Sequence, residues 1–255
     1  MKKRWLFTVF VGLFCAFTVQ AAVLFEDGFD GSGALGAEWE TWINGNSGAI
    51  VPYRTNDTLV LTYESNLWAQ VAMQATTKTD IALYQQVDFK FDIADFGGDS
   101  NDLGIGNGKT SFIVAEYDDS LGALYSSSGI DGIVLSVQHN LINNNGTPSV
   151  LVEIRLIDNT WKGNLVVDAT NDFSLVVSTT ISNFTVMAEG ASYYLKSGTN
   201  SLDHAWDYRS MVPRIEMWKN SDDDVFGPAH IDGVDDEWLW DWFIAKTKGF
   251  SDDPP

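Results

Sequence analysis

Cysteine is nearly missing from this chain of 255 residues, with Cys15 the single one. One cysteine excludes an internal disulfide, a cysteine-rich zinc cluster and an iron–sulfur site. Histidine is almost as scarce. His139, His204 and His230 are too few and too scattered for a paired-histidine metal motif. Basic residues number 15 against 35 acidic ones, a formal charge of −20. Such a surface repels nucleic acid and anionic lipid. Beyond the N-terminus no apolar run approaches the roughly 20 residues that a spanning helix needs. No Walker loop, dinucleotide fingerprint or serine-nucleophile elbow occurs, and no window carries a helical apolar stripe of more than three turns. A Pro-rich linker and an internal repeat are also lacking.

Residues 1–21 read as a cleaved export signal. Lys2, Lys3 and Arg4 precede an apolar stretch from Trp5 to Val19, and Val19-Gln20-Ala21 offers a small-residue cleavage point. A secreted protein is the expectation, with no membrane attachment once the signal is removed. Cys15 falls inside that signal, which removes a thiol nucleophile from the remainder. Residues 22–255 are dominated by period-two runs: 58–63, 86–96, 111–117, 132–140, 149–158, 173–181, 184–190 and 192–198. Val, Ile, Thr, Phe and Tyr enrich them, while Gly, Asn, Asp and Ser break them. In "VDFKFDI" the residues Val87, Phe89, Phe91 and Ile93 share one face and Asp88, Lys90 and Asp92 the other. This spacing predicts one all-β domain over 22–255, an antiparallel two-sheet β-sandwich or jelly roll.

The stretch "LFEDGFDGSGALGAEWETW" (24–42) interleaves acids and aromatics around glycine. It resembles the opening of secreted concanavalin A-like lectin/glucanase domains, which begin with a Phe-x-Asp-x-Phe-Asp-Gly segment followed by a Leu and a Trp. "GPAHIDGVDDEWLWDWFIA" (227–245) is similar to their closing strand. The resemblance implies a concanavalin A-like jelly roll whose first and last strands lie side by side. It also gives the terminal acids a role. Asp27, Asp30 and Asp241, with Asp232 as the alternative C-terminal ligand, could surround a structural calcium ion together with loop carbonyls. The alternative is that these acids only shape turns and keep edge strands soluble.

Catalytic motifs are sparse. Hydrolases of this superfamily carry a Glu-x-Asp-x-x-Glu strand that sets two carboxylates on one face, and no stretch here has it. Glu153 and Asp158 have odd spacing, and Glu116 with Asp118 lacks a third acid. "YYLKSGTN" (193–200) looks like the Tyr-Phe-Lys-Ala-Gly segment of family-7 alginate lyases at Tyr194, Lys196 and Gly198. "SVQHN" (136–140) loosely resembles their Gln-Ile-His strand at Gln138, with His139 one place early. Their Arg-x-Glu strand should precede both, whereas "RIE" (214–216) follows them. A lyase would therefore use Gln138, His139, Tyr194 and Lys196, with part of the carboxylate-neutralising set missing.

Tryptophan is plentiful. Trp238, Trp240 and Trp242 alternate as a core face of the last strand, with Trp39 and Trp42 near them. Trp68, Trp161 and Trp206, each flanked by polar residues, are the candidates for stacking on sugar rings. "LINNNGTP" (141–148) and "WKGN" (161–164) fit a polar rim. The expected function is binding of an extracellular polysaccharide or other glycan. A polysaccharide-degrading enzyme of the same fold and a non-catalytic cell-surface structural protein are the alternatives.

Overall fold

A computed structural model describes residues 22–45, 51–55, 58–63, 69–93, 109–119, 130–141, 149–158, 160–168, 173–190, 193–195, 200–201, 208–219, 236–240 and 242–248. Residues 1–21, read above as an export signal, lie outside the described residues.

Strands are numbered in chain order. A six-stranded antiparallel sheet runs β1 (Ala22–Asp27), β18 (Trp242–Lys248), β7 (Gln86–Ile93), β12 (Phe173–Thr179), β13 (Asn183–Glu189) and β15 (Asn200–Ser201). An eight-stranded sheet runs β14 (Tyr193–Leu195), β11 (Trp161–Asp168), β10 (Ser149–Leu156), β9 (Gly132–Leu141), β8 (Lys109–Glu116), β16 (Met211–Lys219), β6 (Ala69–Ala75) and β3 (Trp39–Gly45). A smaller sheet joins β17 (Asp236–Trp240), β5 (Thr58–Tyr63), β4 (Tyr53–Thr55) and β2 (Gly33–Ala34). The first and last strands do pair, with Phe25 opposite Ala245 and Asp27 opposite Phe243.

Alternation decides which face turns inward. Val87, Phe89 and Phe91 of β7 are buried while Asp88 and Lys90 between them are half-exposed. From the larger sheet Val71, Met73, Phe112, Val114, Leu135, Val152, Ile154 and Leu165 face the same core. The Phe91 and Phe112 rings, one from each large sheet, meet at 5.0 Å. Two large sheets packed face to face in this way form a β-sandwich.

Two local expectations are corrected. Trp238, Trp240 and Trp242 do not share one strand, because β17 pairs with β5 whereas β18 pairs with β1 and β7. The chain therefore passes from the small sheet to the six-stranded one between Trp240 and Trp242. "WKGN" is not a rim loop but the start of β11. Gly163, at φ +151°, accommodates a register slip there that sets Trp161 opposite Arg155.

Candidate glycan-binding face

The eight-stranded sheet presents its second face away from the core. Register lines up Trp42, Ala72, Glu216, Ser111, Ser136, Glu153 and Asn164 across seven strands. The neighbouring row is Glu40, Gln74, Arg214, Ile113, Val134, Arg155 and Trp161. Polar residues dominate the first row; the second runs polar from Glu40 to Arg214, apolar at Ile113 and Val134, and ends on Arg155 and Trp161. Ile113, Ala115 and Val134 close one side of this face as a small apolar cluster with Ile130 and Ile157.

The centre is buried and strongly hydrogen-bonded. Arg214 is 1% exposed, and its Nη2 stands 3.4 Å from Glu216 Oε2 while Nη1 stands 3.9 Å from Asp118 Oδ2. Burial pulls the Arg214 pKa down, and the charges of Glu216 and then Asp118 oppose that pull. Gln74 Nε2 donates to the Asp118 carbonyl at 2.7 Å and to Glu40 Oε2 at 3.0 Å. The Tyr117 hydroxyl donates to the same Glu40 oxygen at 2.7 Å, and the Lys78 ammonium sits 3.7 Å from the Tyr117 ring centroid. Hydrogen bonds from Gln74 and then Tyr117 hold the Glu40 carboxyl below its usual range. The same bond to Glu40 pushes the Tyr117 hydroxyl up to about 12. Ser111 and Ser136 bond each other at 3.0 Å.

The β10–β11 end of the face is open. Glu153 and Arg155 lie on one face of β10, 3.4 Å apart, with side chains 18% and 28% exposed. Lys162 and Asn164 are half-buried beside them, and Trp161 is 53% exposed. Asp158 does not join this group, since it caps the following turn by accepting from Thr160 N at 2.8 Å. Glu116 is likewise occupied in accepting from Asp131 N.

Among the other sequence candidates, Trp68, Trp206, Lys196 and Asp241 lie outside the described residues. Gln138 and His139 lie on β9 and Tyr194 on β14. Register sets Tyr194 opposite Val166, Val166 opposite Leu151, and Leu151 opposite Gln138. Three strand intervals of about 4.8 Å separate the two. Sequence reasoning set "RIE" aside because it follows the other two segments in the chain, although the fold brings Arg214 and Glu216 into the same sheet, and it passed over Gln74 and Glu40.

Asp27 has a different place. Its Oδ1 accepts from Phe29 N at 2.7 Å, and its Oδ2 accepts from Trp39 Nε1 at 2.6 Å and Arg54 Nη2 at 2.9 Å. The same Arg54 nitrogen reaches Glu38. A guanidinium against the carboxylate is the wrong neighbour for a divalent cation, so Asp27 does not fit the calcium ligand suggested by its sequence motif. Asp30 is exposed, and among the described residues no three His, Cys, Asp or Glu side chains converge on a metal position.

No protein-family model matches this chain, and no curated protein matches it in sequence. Solved structures do match in shape. An endo-1,3-beta-glucanase from Streptomyces sioyaensis superposes with a TM-score of 0.56 at 9% identity, covering 90% of this chain and 97% of its own. The metal-free exoplasmic/lumenal domain of VIP36 gives 0.54 at 11% identity over 92% and 95%. The Bacillus licheniformis beta-glucanase gives 0.53 at 12% identity over 90% and 100%. At these identities the likeness speaks for the fold, and it agrees with the terminal motifs and the sheet order. The chain is a concanavalin A-like jelly-roll sandwich, the architecture it shares with these glucanases and with the VIP36 domain.

Proposed function

We propose that residues 22–255 form one secreted glycan-binding domain that holds an extracellular polysaccharide at the β10–β11 end of the outward face. The observation that carries this reading is Trp161. A large aromatic left 53% exposed stands beside Glu153, Arg155, Lys162 and Asn164. A ring face for a sugar's C–H surface and polar groups for its hydroxyls are the two things such a site needs. The structural neighbours include both binding and hydrolytic proteins, so fold alone does not choose between them.

The acids favour binding. Hydrolysis needs two carboxyl groups roughly 5–10 Å apart across the scissile bond. Glu216 and Glu153 stand three strand intervals apart, about 14 Å. Glu216 and Asp118 are both committed to the Arg214 guanidinium. Calcium enters the reading only at Asp30 and Asp241, the latter two positions before the register partner of Asp27.

One observation favours a second reading, β-elimination. Strands β16, β9 and β14 share one sheet, so Arg214-Ile215-Glu216, Gln138-His139 and Tyr194 belong to one layer despite their order in sequence. A glycan array with purified protein, read beside a 235-nm unsaturation assay on polyuronates, separates the two. Trp161→Ala should weaken glycan binding by about 1–2 kcal/mol, with no turnover before or after. Unsaturated product that disappears in Tyr194→Phe would replace binding by lysis.

A further inference from the structure

We infer that Arg54 is the resident cation of the corner between β1, β3 and β4, and that removing it uncovers a divalent-cation site formed by Asp27 and Glu38. Both carboxylates touch one nitrogen. Arg54 Nη2 lies 2.9 Å from Asp27 Oδ2 and also contacts Glu38 Oε1. The guanidinium carbon lies 6.0 Å from the centroid of Phe29, whose ring is fully buried. Side-chain exposures are 17% for Arg54 and 10% for Asp27. The positive charge is therefore lodged in the corner rather than waving from its surface.

Asp27 is held independently of that arginine. Trp39 Nε1 and Phe29 N each donate to it, and Phe29 adopts φ +52° at this turn. A carboxylate has about four lone-pair positions, so these two donors leave room for a cation on Oδ2. Deleting the guanidinium leaves two carboxylate oxygens aimed at one vacated position. Such a pair, completed by water and loop carbonyls, suits a calcium ion at roughly 2.3–2.6 Å. In a chain of net charge −20 the uncompensated pair also repels itself. One side chain of this protein thus takes the place in which its motif suggests a metal.

The test compares wild type, Asp27→Asn alone, Arg54→Ala, the milder Arg54→Gln, and each arginine variant combined with Asp27→Asn, all melted in chelator and in calcium. Calcium should raise the melting temperature of both arginine variants by roughly 5–10 °C more than that of wild type, at calcium a hundredfold above its Kd. Adding Asp27→Asn should abolish the excess. Trp39 supplies a second readout that needs no melting. Its indole nitrogen touches Asp27, so terbium bound in the corner should luminesce on tryptophan excitation in Arg54→Gln, and Asp27→Asn should remove that emission. The inference is overturned if calcium stabilises wild type as much as the variants. It is equally overturned if Asp27→Asn abolishes a calcium response in wild type, or if neither arginine variant gains melting temperature or terbium emission.

Discussion

Phe25, Phe29 and Trp39 show what the interleaved aromatics and acids of the first segment do. Phe29 stacks on Trp39 with centroids 5.7 Å apart, Phe25 meets the same indole edge-on at 5.5 Å, and Asp27 fixes the indole by its nitrogen. The aromatic spacing was legible in the sequence. The cation was not, because Arg54 lies 27 positions from Asp27 and only the fold joins them. Arg214 poses the opposite case, a charge in a place where sequence alternation gives no warning of burial. Removing one partner of a buried ion pair leaves the other uncompensated and costs about 3–5 kcal/mol. Arg214→Ala should lose that much in urea unfolding, and Arg214→Lys should recover only part, since an ammonium cannot reach Glu216 and Asp118 with two separate nitrogens. Trp161→Ala should stay within about 0.5 kcal/mol of wild type. A large destabilisation there would make Trp161 a packing residue and remove the reason for placing sugar beside it.

At the scale of the strand, period-two patterning worked where β-branched and aromatic residues dominate, as in β5, β7, β10, β12 and β13. It failed for β6, whose "AQVAMQA" is rich in Ala and Gln, and for β16, where Pro213 argues against a central strand. The structure shows how the proline is tolerated. Pro213 pairs with Val114 of β8, but pairing with β6 begins only at Arg214, so the missing N–H falls where β16 has no partner on that side. At the open end of the site Trp161 and the polar "WKGN" were legible, but the strand that carries them was not, because a glycine and two polar residues in four read as a loop. Gly132, at the start of β9, is a tighter constraint. A Cβ built there would lie 2.6 Å from Ile157 Cδ1, 2.8 Å from Ala115 Cβ and 2.8 Å from the Val114 carbonyl oxygen. Ile157 can swing away, but the β8 backbone cannot. Gly132→Ala should therefore cost about 1–3 kcal/mol, the range of an overpacked core, and chemical denaturation would measure it. A neutral result would mean that β8 and β9 separate easily at this end.

For the molecule as a whole, stability against pH follows from groups that tie different strands together. Glu40 on β3 is joined to Gln74 on β6 and to Tyr117 just past β8. A carboxyl held below its unfolded value of about 4.3 adds stability that is present above that value and lost as pH falls through the folded one. Glu38 acts in the same direction, lowered first by its own backbone N–H and further by Arg54. Tyr117 works at the other end. Its hydroxyl is pushed up to about 12, so its contribution is complete below the unfolded value of about 10 and disappears between 10 and 12. One hydrogen bond thus has an acid limit set by Glu40 and an alkaline limit set by Tyr117. Gln74→Leu should flatten the acid arm of the stability curve and leave the alkaline arm in place. Tyr117→Phe should flatten both, because it removes the titrating hydroxyl and one of the two donors that stabilise the Glu40 carboxylate. Absorbance titration at the tyrosinate band gives the independent measurement: one of the eight tyrosines should ionise near pH 12 in wild type and be missing in Tyr117→Phe. If the late step persists in that variant, or its alkaline arm matches wild type, the Tyr117–Glu40 bond does not join β3 to the end of β8 in solution.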